Sequence, residues 1–183
     1  MRIEAQSVQG VGVAYSNYVA DARGAFARWF CKDELASVIG SRSIVQINHS
    51  CTSQVGAIRG LHFQRPPHAV MKLIRCLRGA VLDVVVDMRS GSATYLRHHR
   101  ETLRAGDGKM IVVPEGFAHG FQTLEPDTEL LYLHTSAYTP SAECGFRFDD
   151  PALAIEWPLP ATDISARDLA LPTLSVETSL PFP

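Results

Sequence analysis

Two side chains suited to acid–base chemistry interrupt an apolar segment of the sequence. The stretch RGLHFQRPPHAVMKLIRCLRGAVLDVVVD (residues 59–87) alternates around Arg78 and Gly79, yet it places His62 and Lys72 among residues that should face a core. An imidazole titrates near neutral pH and can take up or release a proton, and a lysine supplies positive charge. Such groups in an apolar sheet indicate either a binding cavity or a structural network of ion pairs.

The surrounding sequence predicts the sheets that would position these side chains. Short runs alternate or are rich in β-branched residues, and they end at Gly, Pro, Asp or Ser. Their spacing of roughly 10–15 residues favours antiparallel meanders and Greek keys over β–α–β units. Examples are SIVQINHS, AIRGLHFQ, VMKLIRCL, AVLDVVVDM, KMIVVP and TELLYLHTS. The sequence therefore predicts a mainly β fold, an antiparallel double-sheet barrel of jelly-roll type.

One or two short helices are predicted beside the sheets. KDELASVIG (residues 32–40) could be capped by Asp33 and stopped by Gly40, and a helical turn in SARDLALP would have Ser165 as its N-cap. No repeat or linker divides the 183 residues, so we expect one domain spanning 1–183. Within it we expect an N-terminal strand or arm over 1–20 and an extended C-terminal tail over 172–183.

Composition and charge limit the classes of function. A hydrophobic content of 46% with 20% charged residues is typical of a globular protein, and a net charge of −2 gives no reason to expect nucleic acid or an anionic membrane. Neither a long apolar run nor a secretory signal is visible. The four cysteines form no CxxC pair and fit reduced thiols better than a disulfide or zinc framework. We therefore expect a cytoplasmic protein with no nucleic-acid or membrane partner.

A second motif raises the question of a metal. GDGKMIVVPEGFAHGFQTL places Pro114, Gly116 and His119 as the second motif of the cupin barrels does, where many members bind iron, manganese or zinc. The first cupin motif needs two histidines and a glutamate, but here the corresponding place reads HFQ and the next candidate is Lys72. A protonated lysine has no lone pair and repels a divalent cation. We therefore expect a cupin-like barrel without a metal or other cofactor, and a metal-dependent dioxygenase is disfavoured.

Nine pieces of sequence occur together over about residues 20–170. They are DARGAF, VQINHS, RGLHFQ, KLIRCLRGAVLDVVVDMR, VPEGFAHGFQTL, TELLY, YTPSAECGFRFDDP, IEWP and SARD. In this order they resemble the dTDP-4-dehydrorhamnose 3,5-epimerases and related deoxysugar epimerases, and the whole set is far more specific than one motif. The resemblance implies a metal-free cupin-type barrel, a homodimer, and inversion of stereocentres beside the C4 ketone of a nucleotide-linked 4-keto-6-deoxyhexose.

The resemblance also assigns catalytic roles. Inversion beside a carbonyl needs a base, a cation for the developing enolate and an acid on the opposite face. His62 matches the base, Asp168 in SARD the carboxylate that orients it, Lys72 the cation and Tyr132 the acid. Without the family pattern, His62 and Tyr132 would be hydrogen-bonded structural groups. Lys72 would pair with Asp83, and Asp168 would be a helix cap.

A second set of residues matches family positions that contact the substrate. A diphosphate prefers arginine forks, and a nucleotide base can stack between aromatic rings. The set comprises Arg23, Phe26, Gln46, Asn48, Arg59, His119, Tyr138, Glu143 and Arg167. Phe26 and Tyr138 match the pair that sandwiches the base, and Arg167 replaces the usual lysine. The resemblance implies that Phe26 comes from the partner subunit, so that the homodimer completes the site.

Three positions depart from the family pattern. Arg28 stands where a glutamate contacting the nucleotide is expected, Ile47 replaces an aspartate, and Leu133 replaces the lysine after the tyrosine. A guanidinium only donates hydrogen bonds, so at a nucleotide-binding position it would suit the acceptors of cytosine better than the imide N–H of thymine. We therefore expect a nucleotide other than dTDP, with CDP the first to test. The other interpretation is that Arg28 points to solvent or pairs with a nearby carboxylate.

Several functions stay open at the level of the sequence. The residues do not distinguish inversion at C3, at C5 or at both carbons. One alternative is a 3-epimerase or ketoisomerase acting on a sugar linked to a nucleotide such as CDP. Another is a barrel that binds a sugar nucleotide without catalysis, which the loss of His62 or Tyr132 would have favoured.

Overall fold

Two large antiparallel sheets form most of the computed structural model, which describes residues 1–174. The strands are β1 (Arg2–Ala5), β2 (Gly12–Tyr15), β3 (Tyr18–Asp21), β4 (Gly24–Ala27), β5 (Gln46–Thr52), β6 (Ile58–Gln64), β7 (Lys72–Arg78), β8 (Ala80–Asp87), β9 (His98–Arg104), β10 (Lys109–Val113), β11 (Phe117–Thr123), β12 (Thr128–His134) and β13 (Glu143–Gly145). The helical elements are α1 (Ala36–Ile39), α2 (Ala166–Leu169) and a 3-10 turn at Pro140–Ala142.

The order of the strands confirms the predicted mainly β, antiparallel double-sheet jelly roll. One sheet has six strands in the order β1-β2-β10-β7-β12-β5, and the other has five in the order β13-β6-β11-β8-β9. The hairpin of β3 and β4 forms a separate two-stranded sheet. Sequence neighbours are often far apart in a sheet, so each sheet is assembled from distant parts of the chain.

The main core lies between the two large sheets. Ile74 and Leu130 from the six-stranded sheet pack in one buried cluster with Val81, Val85 and Phe117 from the five-stranded sheet. Successive side chains of a strand point to opposite faces, which makes half of each strand available to the core. Burying each such side chain fully is worth about 1.5–3 kcal/mol. Two further apolar clusters complete the packing of the molecule.

The helices are shorter than predicted, and one cap was predicted wrongly. α1 has Leu35 as its N-cap, and Asp33 contributes its backbone carbonyl to a preceding turn instead of capping with its side chain. Leu35 is fully buried, so packing of the apolar side chain fixes where the helix begins. Gly40 ends α1 with φ 57°, as predicted. Ser165 caps α2 by accepting a hydrogen bond from the Asp168 N–H at 3.0 Å, which confirms that prediction.

The two ends of the described chain pack differently. Residues 1–20 supply β1, β2 and the start of β3. Residues 172–174 of the predicted tail lie against the protein, where the Pro172 carbonyl accepts a hydrogen bond from the Arg147 N–H at 3.0 Å, and residues 175–183 lie outside the described residues. Within the described part of the chain, no helix has the length and apolar character that crossing a membrane requires.

The backbones of β6 and β11 approach each other closely in the five-stranded sheet. Gly60 has φ 122°, and a Cβ atom built on it would lie 2.5 Å from the Cα of Gly120. Glycine is therefore required at this crossing, both for its backbone conformation and for the space. Immediately after the contact, His62 on β6 pairs in register with His119 on β11.

Candidate active site

An open cavity of about 250 Å³ lies between the inner faces of the two large sheets. Its lining comes from both sheets and consists of Asn48, His49, Ser50, Arg59, His62, Lys72, His119, Phe121, Tyr132 and His134. A second cavity of about 220 Å³ shares four of these residues and adds Phe63, Gln64, Val70, Tyr138 and Glu143. The two cavities therefore meet at the shared residues Asn48, His62, Lys72 and His134.

His62 is held by a buried carboxylate from the far end of the chain. Its Nε2 atom lies 2.7 Å from Oδ1 of Asp168, which is 4% exposed, and Oδ2 accepts the Gly60 N–H at 3.2 Å. Burial acts to raise the pKa of Asp168, but hydrogen bonds from His62, Gly60 and Ser165 outweigh it and hold the pKa below its ordinary value. An ionised carboxylate only accepts, so Nε2 of His62 carries the proton. No hydrogen bond to its Nδ1 atom is found among residues 1–174, so this nitrogen can accept a proton.

Lys72 places a positive charge beside this histidine. The Nζ atom donates a hydrogen bond to the His62 carbonyl at 3.1 Å. Desolvation lowers the pKa of Lys72 from 10.5 to about 8, although the negative charges of Glu143 and Asp83 partly oppose the shift. Among residues 1–174 no carboxylate lies within ion-pair distance of Lys72. The direct Lys72–Asp83 pair considered above is therefore not formed, because Asp83 binds His119.

His119 and Asp83 form a second buried pair on the floor of the cavity. His119 is 5% exposed and Asp83 is fully buried, and Nε2 of His119 lies 2.8 Å from Oδ2 of Asp83. Burial lowers the pKa of His119 in spite of the opposing charge of Asp83. Two imidazole–carboxylate pairs thus stand side by side on β6 and β11, but only the His62 pair involves a carboxylate from outside the sheets.

Tyr132 faces His62 from the opposite sheet. Its ring lies edge-on to the rings of His119 and His134, with centroids 6.2 and 6.1 Å apart. Burial raises the pKa of its hydroxyl group, so the tyrosine remains protonated at neutral pH. The cavity therefore holds a proton acceptor on the five-stranded sheet and a proton donor on the six-stranded sheet.

Other predicted residues surround this centre. Arg59 and Asn48 line the cavity, and Asn48 accepts a hydrogen bond from Gln46 at 3.0 Å. Gln46 in turn accepts the Tyr138 N–H at 2.9 Å, which ties the rim of the second cavity to β5. Arg59 donates to the carbonyl of Cys51 at 3.4 Å. These contacts join residues that the sequence could only assign separately.

A group of charged and phenolic side chains forms the mouth of the second cavity. Glu143 accepts a hydrogen bond from the Tyr138 hydroxyl and pairs with Arg167 at 2.6 Å. Burial acts to raise the pKa of Glu143, but these two partners hold it below its ordinary value. Arg167 is the residue before Asp168 in α2, so one short helix supplies both the partner of His62 and a cation at the mouth.

Three predicted substrate contacts lie elsewhere in this chain. Arg23, Phe26 and Arg28 line neither cavity, and Phe26 is 75% exposed on the hairpin of β3 and β4. Arg23 pairs with Asp21 at 2.6 Å. Arg28 pairs with Glu34, which matches the alternative interpretation of that arginine. Nearby carboxylates therefore hold both guanidinium groups, and the prediction that Phe26 serves a partner subunit remains a prediction.

His134 is a cavity residue that the sequence analysis missed. It lines both cavities, and its Nε2 atom is buried without a hydrogen-bond partner among the described residues. Burial and the charge of Lys72 lower its pKa to about 4, so the imidazole is neutral at pH 7. The signal was available, because His134 follows Tyr132 by two residues on one strand and therefore shares its face. It also pairs in register with Lys72.

The cavity does not gather the ligands of a metal ion. Among residues 1–174, the one group of three His, Cys, Asp or Glu side chains with converging ligand atoms is His49, Cys51 and Glu129. In the cavity, His62 and His119 are each engaged by a carboxylate, and the ammonium group of Lys72 lies beside them. A divalent cation would meet this positive charge.

Comparison with known proteins identifies a family. A family model described as dTDP-4-dehydrorhamnose 3,5-epimerase matches residues 5–176. The chain is 39% identical over 175 residues to the dTDP-4-dehydrorhamnose 3,5-epimerase of Sinorhizobium fredii, covering 95% of this chain and 90% of the relative. It is 37% identical over 169 residues to the dTDP-4-dehydrorhamnose 3-epimerase of Streptomyces niveus, covering 92% and 81%.

A solved structure agrees with these sequence relatives. The structure of dTDP-4-dehydrorhamnose 3,5-epimerase from Bacillus anthracis, with TDP and PPi bound, superimposes with a TM-score of 0.91 at 35% identity. The match covers 94% of this chain and 99% of that chain. The likeness therefore extends over both large sheets and the cavity between them.

Lys72 should titrate at about pH 8 in the folded protein, because desolvation disfavours its ammonium form. A ¹³C NMR titration of its side chain should show this midpoint, and the denatured protein should give about 10.4. The unfolded chain then binds the proton more tightly than the folded protein does. The free energy of unfolding should consequently rise as the pH increases from about 8 to about 10.4.

Glu143→Gln provides the control for this titration. The negative charge of Glu143 raises the pKa of Lys72, so removing that charge should move the midpoint below the wild-type value. A wild-type midpoint equal to that of the denatured protein would contradict the desolvated position of Lys72.

Proposed function

The chain belongs to the dTDP-4-dehydrorhamnose 3,5-epimerase family, and on that premise we propose that it inverts C3, C5 or both in a nucleotide-linked 4-keto-6-deoxyhexose. The protein is an isomerase, and the reaction would serve deoxysugar biosynthesis. The observation that carries the proposal is His62, paired with a buried carboxylate, facing Tyr132 across the cavity.

His62 removes the proton. Its Nδ1 atom takes the proton from the carbon next to the ketone. The C–H bond breaks, and its electron pair moves to the carbonyl oxygen as an enolate. The imidazole becomes an imidazolium, and the ionised Asp168 at 2.7 Å stabilises that charge without taking the proton itself. The nitrogen that takes the proton and the nitrogen bound to Asp168 belong to one imidazole ring, so the contact with Asp168 both orients and activates the base.

Lys72 stabilises the intermediate. A ketone carries only a dipole, whereas an enolate carries a full negative charge, so the attraction to an ammonium group grows as the reaction proceeds. The low dielectric that depresses the pKa of Lys72 also strengthens this attraction. Because that pKa is about 8, the fraction of enzyme with a charged Lys72 falls as the pH rises through this value, and activity falls with it.

Tyr132 returns a proton to the other face of the sugar. Its hydroxyl remains protonated at neutral pH and lies on the sheet opposite to His62. The enolate electron pair forms the new C–H bond with the Tyr132 proton, which inverts the carbon, and proton exchange with water restores both side chains. Inversion at C3 alone is the second candidate function, favoured by the similarity to the Streptomyces niveus 3-epimerase.

The nucleotide would lie toward the second cavity. Arg59 and Arg167 offer guanidinium groups to the diphosphate, with Gln46, Asn48, His119 and Glu143 as further polar contacts. Tyr138 is 49% exposed at the mouth and offers a ring for the base. The exposed Phe26 and the neighbouring Arg23 would reach this mouth from the partner subunit of a homodimer. The proposed nucleotide is dTDP, since TDP is bound in the similar Bacillus anthracis structure.

His62→Asn should abolish turnover of a dTDP-linked 4-keto-6-deoxyhexose while leaving the fold and dTDP binding intact. General-base catalysis typically accelerates a reaction about 10²–10⁴-fold, so the turnover rate should fall by at least that factor. Product formation is followed by NMR, and dTDP binding by calorimetry. His68→Asn makes the same substitution at an exposed histidine and should retain full activity. Turnover within tenfold of wild type in His62→Asn would refute the assignment of the base.

Tyr132→Phe should separate proton removal from inversion. The substitution keeps the ring that packs against His119 and His134 and removes only the hydroxyl. In deuterated water we expect the substrate to acquire deuterium while formation of the inverted product collapses. If exchange and inversion fall by the same factor, Tyr132 is not the acid of the second step.

Arg28→Ala should leave the preference between nucleotides unchanged, because Glu34 already binds the Arg28 side chain. Calorimetry should find dTDP bound more tightly than CDP by the wild type and by the variant, with a similar ratio. Tighter binding of CDP by the wild type, reversed in Arg28→Glu, would instead support base recognition by Arg28.

A further inference from the structure

Three side chains at the edge of the six-stranded sheet have the chemistry of metal ligands. His49 and Cys51 alternate along β5, the edge strand, and therefore share one face of it. Glu129 on β12 is the direct register partner of Cys51. No step of the proposed reaction uses any of these three side chains. His49 also borders the catalytic cavity, whereas Cys51 and Glu129 lie outside it.

The distances suit a single small cation. Nε2 of His49 lies 3.0 Å from Oε2 of Glu129 and 3.7 Å from Sγ of Cys51, and the three ligand atoms all lie within 4.8 Å of one another. Zinc bonds of about 2.0–2.3 Å in a tetrahedral arrangement place neighbouring ligand atoms roughly 3.3–3.8 Å apart. Small rotations of the side chains would therefore bring all three ligands to one ion, with no change in the backbone.

The donor types select the kind of ion. An imidazole nitrogen, a thiolate and a carboxylate together suit a borderline cation such as Zn²⁺, whereas Mg²⁺ and Ca²⁺ favour oxygen ligands alone. Cys51 as a thiolate and Glu129 as a carboxylate supply two negative charges. His49 and Cys51 are exposed, which leaves a fourth coordination position for water. Two nearby guanidinium groups would compete with the ion: Arg78 lies 3.9 Å from Glu129, and Arg59 donates to the Cys51 carbonyl at 3.4 Å.

From this arrangement we infer that His49, Cys51 and Glu129 form a zinc-binding site that ties the edge strand β5 to β12. The other face of β5 carries Asn48 and Ser50 into the cavity. An ion on the outer face would thus hold in place a strand that builds the catalytic site. Because the ion binds the folded protein, it would also raise the melting temperature by mass action.

The arrangement explains why the spacing of the cysteines gives no sign of a site. Sequence motifs for zinc depend on short loops such as CxxC, which bring two thiolates together. Here two ligands come from alternate positions of one strand, and the third comes from a neighbouring strand 78 residues beyond Cys51 in the sequence. Only the pairing register of β5 and β12 brings them together.

Cobalt provides a direct test, because a thiolate bound to Co²⁺ gives a near-ultraviolet charge-transfer band. Protein without an affinity tag is titrated with Co²⁺, and we expect the band to saturate at one equivalent and to disappear when Zn²⁺ is added. Cys51→Ser should remove the band. His49→Ala and Glu129→Gln should each weaken Zn²⁺ binding by at least about tenfold. Even the mutation of a residue that only hydrogen-bonds to a metal ligand typically lowers metal affinity about 10–100-fold.

Cys31→Ser is the matched control, because Cys31 is also outside the core but stands apart from the three ligands. It should keep the cobalt band, the Zn²⁺ affinity and the metal-dependent rise in melting temperature. Circular dichroism checks that each variant is folded. A band that survives Cys51→Ser, or a wild type without a band, would overturn the assignment. Neither result would bear on epimerase turnover, which is measured separately without added metal.

Discussion

The hydrogen bond between His62 and Asp168 is the contact on which the rest of the site depends. It joins β6 to α2 across 106 residues of sequence. A buried carboxylate is costly unless it is well hydrogen-bonded, by several kcal/mol for a charge taken out of water. Nε2 of His62 and the Gly60 N–H supply these hydrogen bonds. The Asp168 N–H donates instead to the hydroxyl of Ser165, which caps and orients α2. The carboxylate therefore fixes the tautomer of His62 through Oδ1 and holds α2 against β6 through Oδ2.

The two-sheet architecture places Tyr132 and Lys72 opposite the His62–Asp168 pair. Because Tyr132 and Lys72 belong to the six-stranded sheet and His62 to the five-stranded sheet, proton acceptor and donor stand on opposite walls. The contact between Gly60 and Gly120 brings β6 close to β11 just before His62. Polar residues replace apolar ones where the sheets would otherwise pack together, which costs core packing. A local violation of folding rules of this kind is typical of functional sites.

Much of this could be predicted from the residues, and the failures have physical reasons. Alternation marked His62 and Lys72 as misplaced in a core, and it identified the strands β5, β6, β7, β8, β10 and β12. Periodicity could not bring Asp168 to His62, because α2 lies far along the chain, so that pairing came from the family resemblance alone. The start of α1 was predicted wrongly because burial of Leu35 outweighed capping. The Arg28–Glu34 pair depends on the path of the chain between two elements, which no motif describes.

The central claim is that the cavity removes and returns a proton beside the ketone. Solvent-deuterium incorporation into a dTDP-linked 4-keto-6-deoxyhexose, followed by NMR at C3 and C5, tests this most directly. We expect deuterium at each carbon that is inverted and none at C2, whose hydrogen is not acidified by the C4 ketone. Inverted product without deuterium at the inverted carbon, or no exchange at either carbon in the folded wild type, would contradict it.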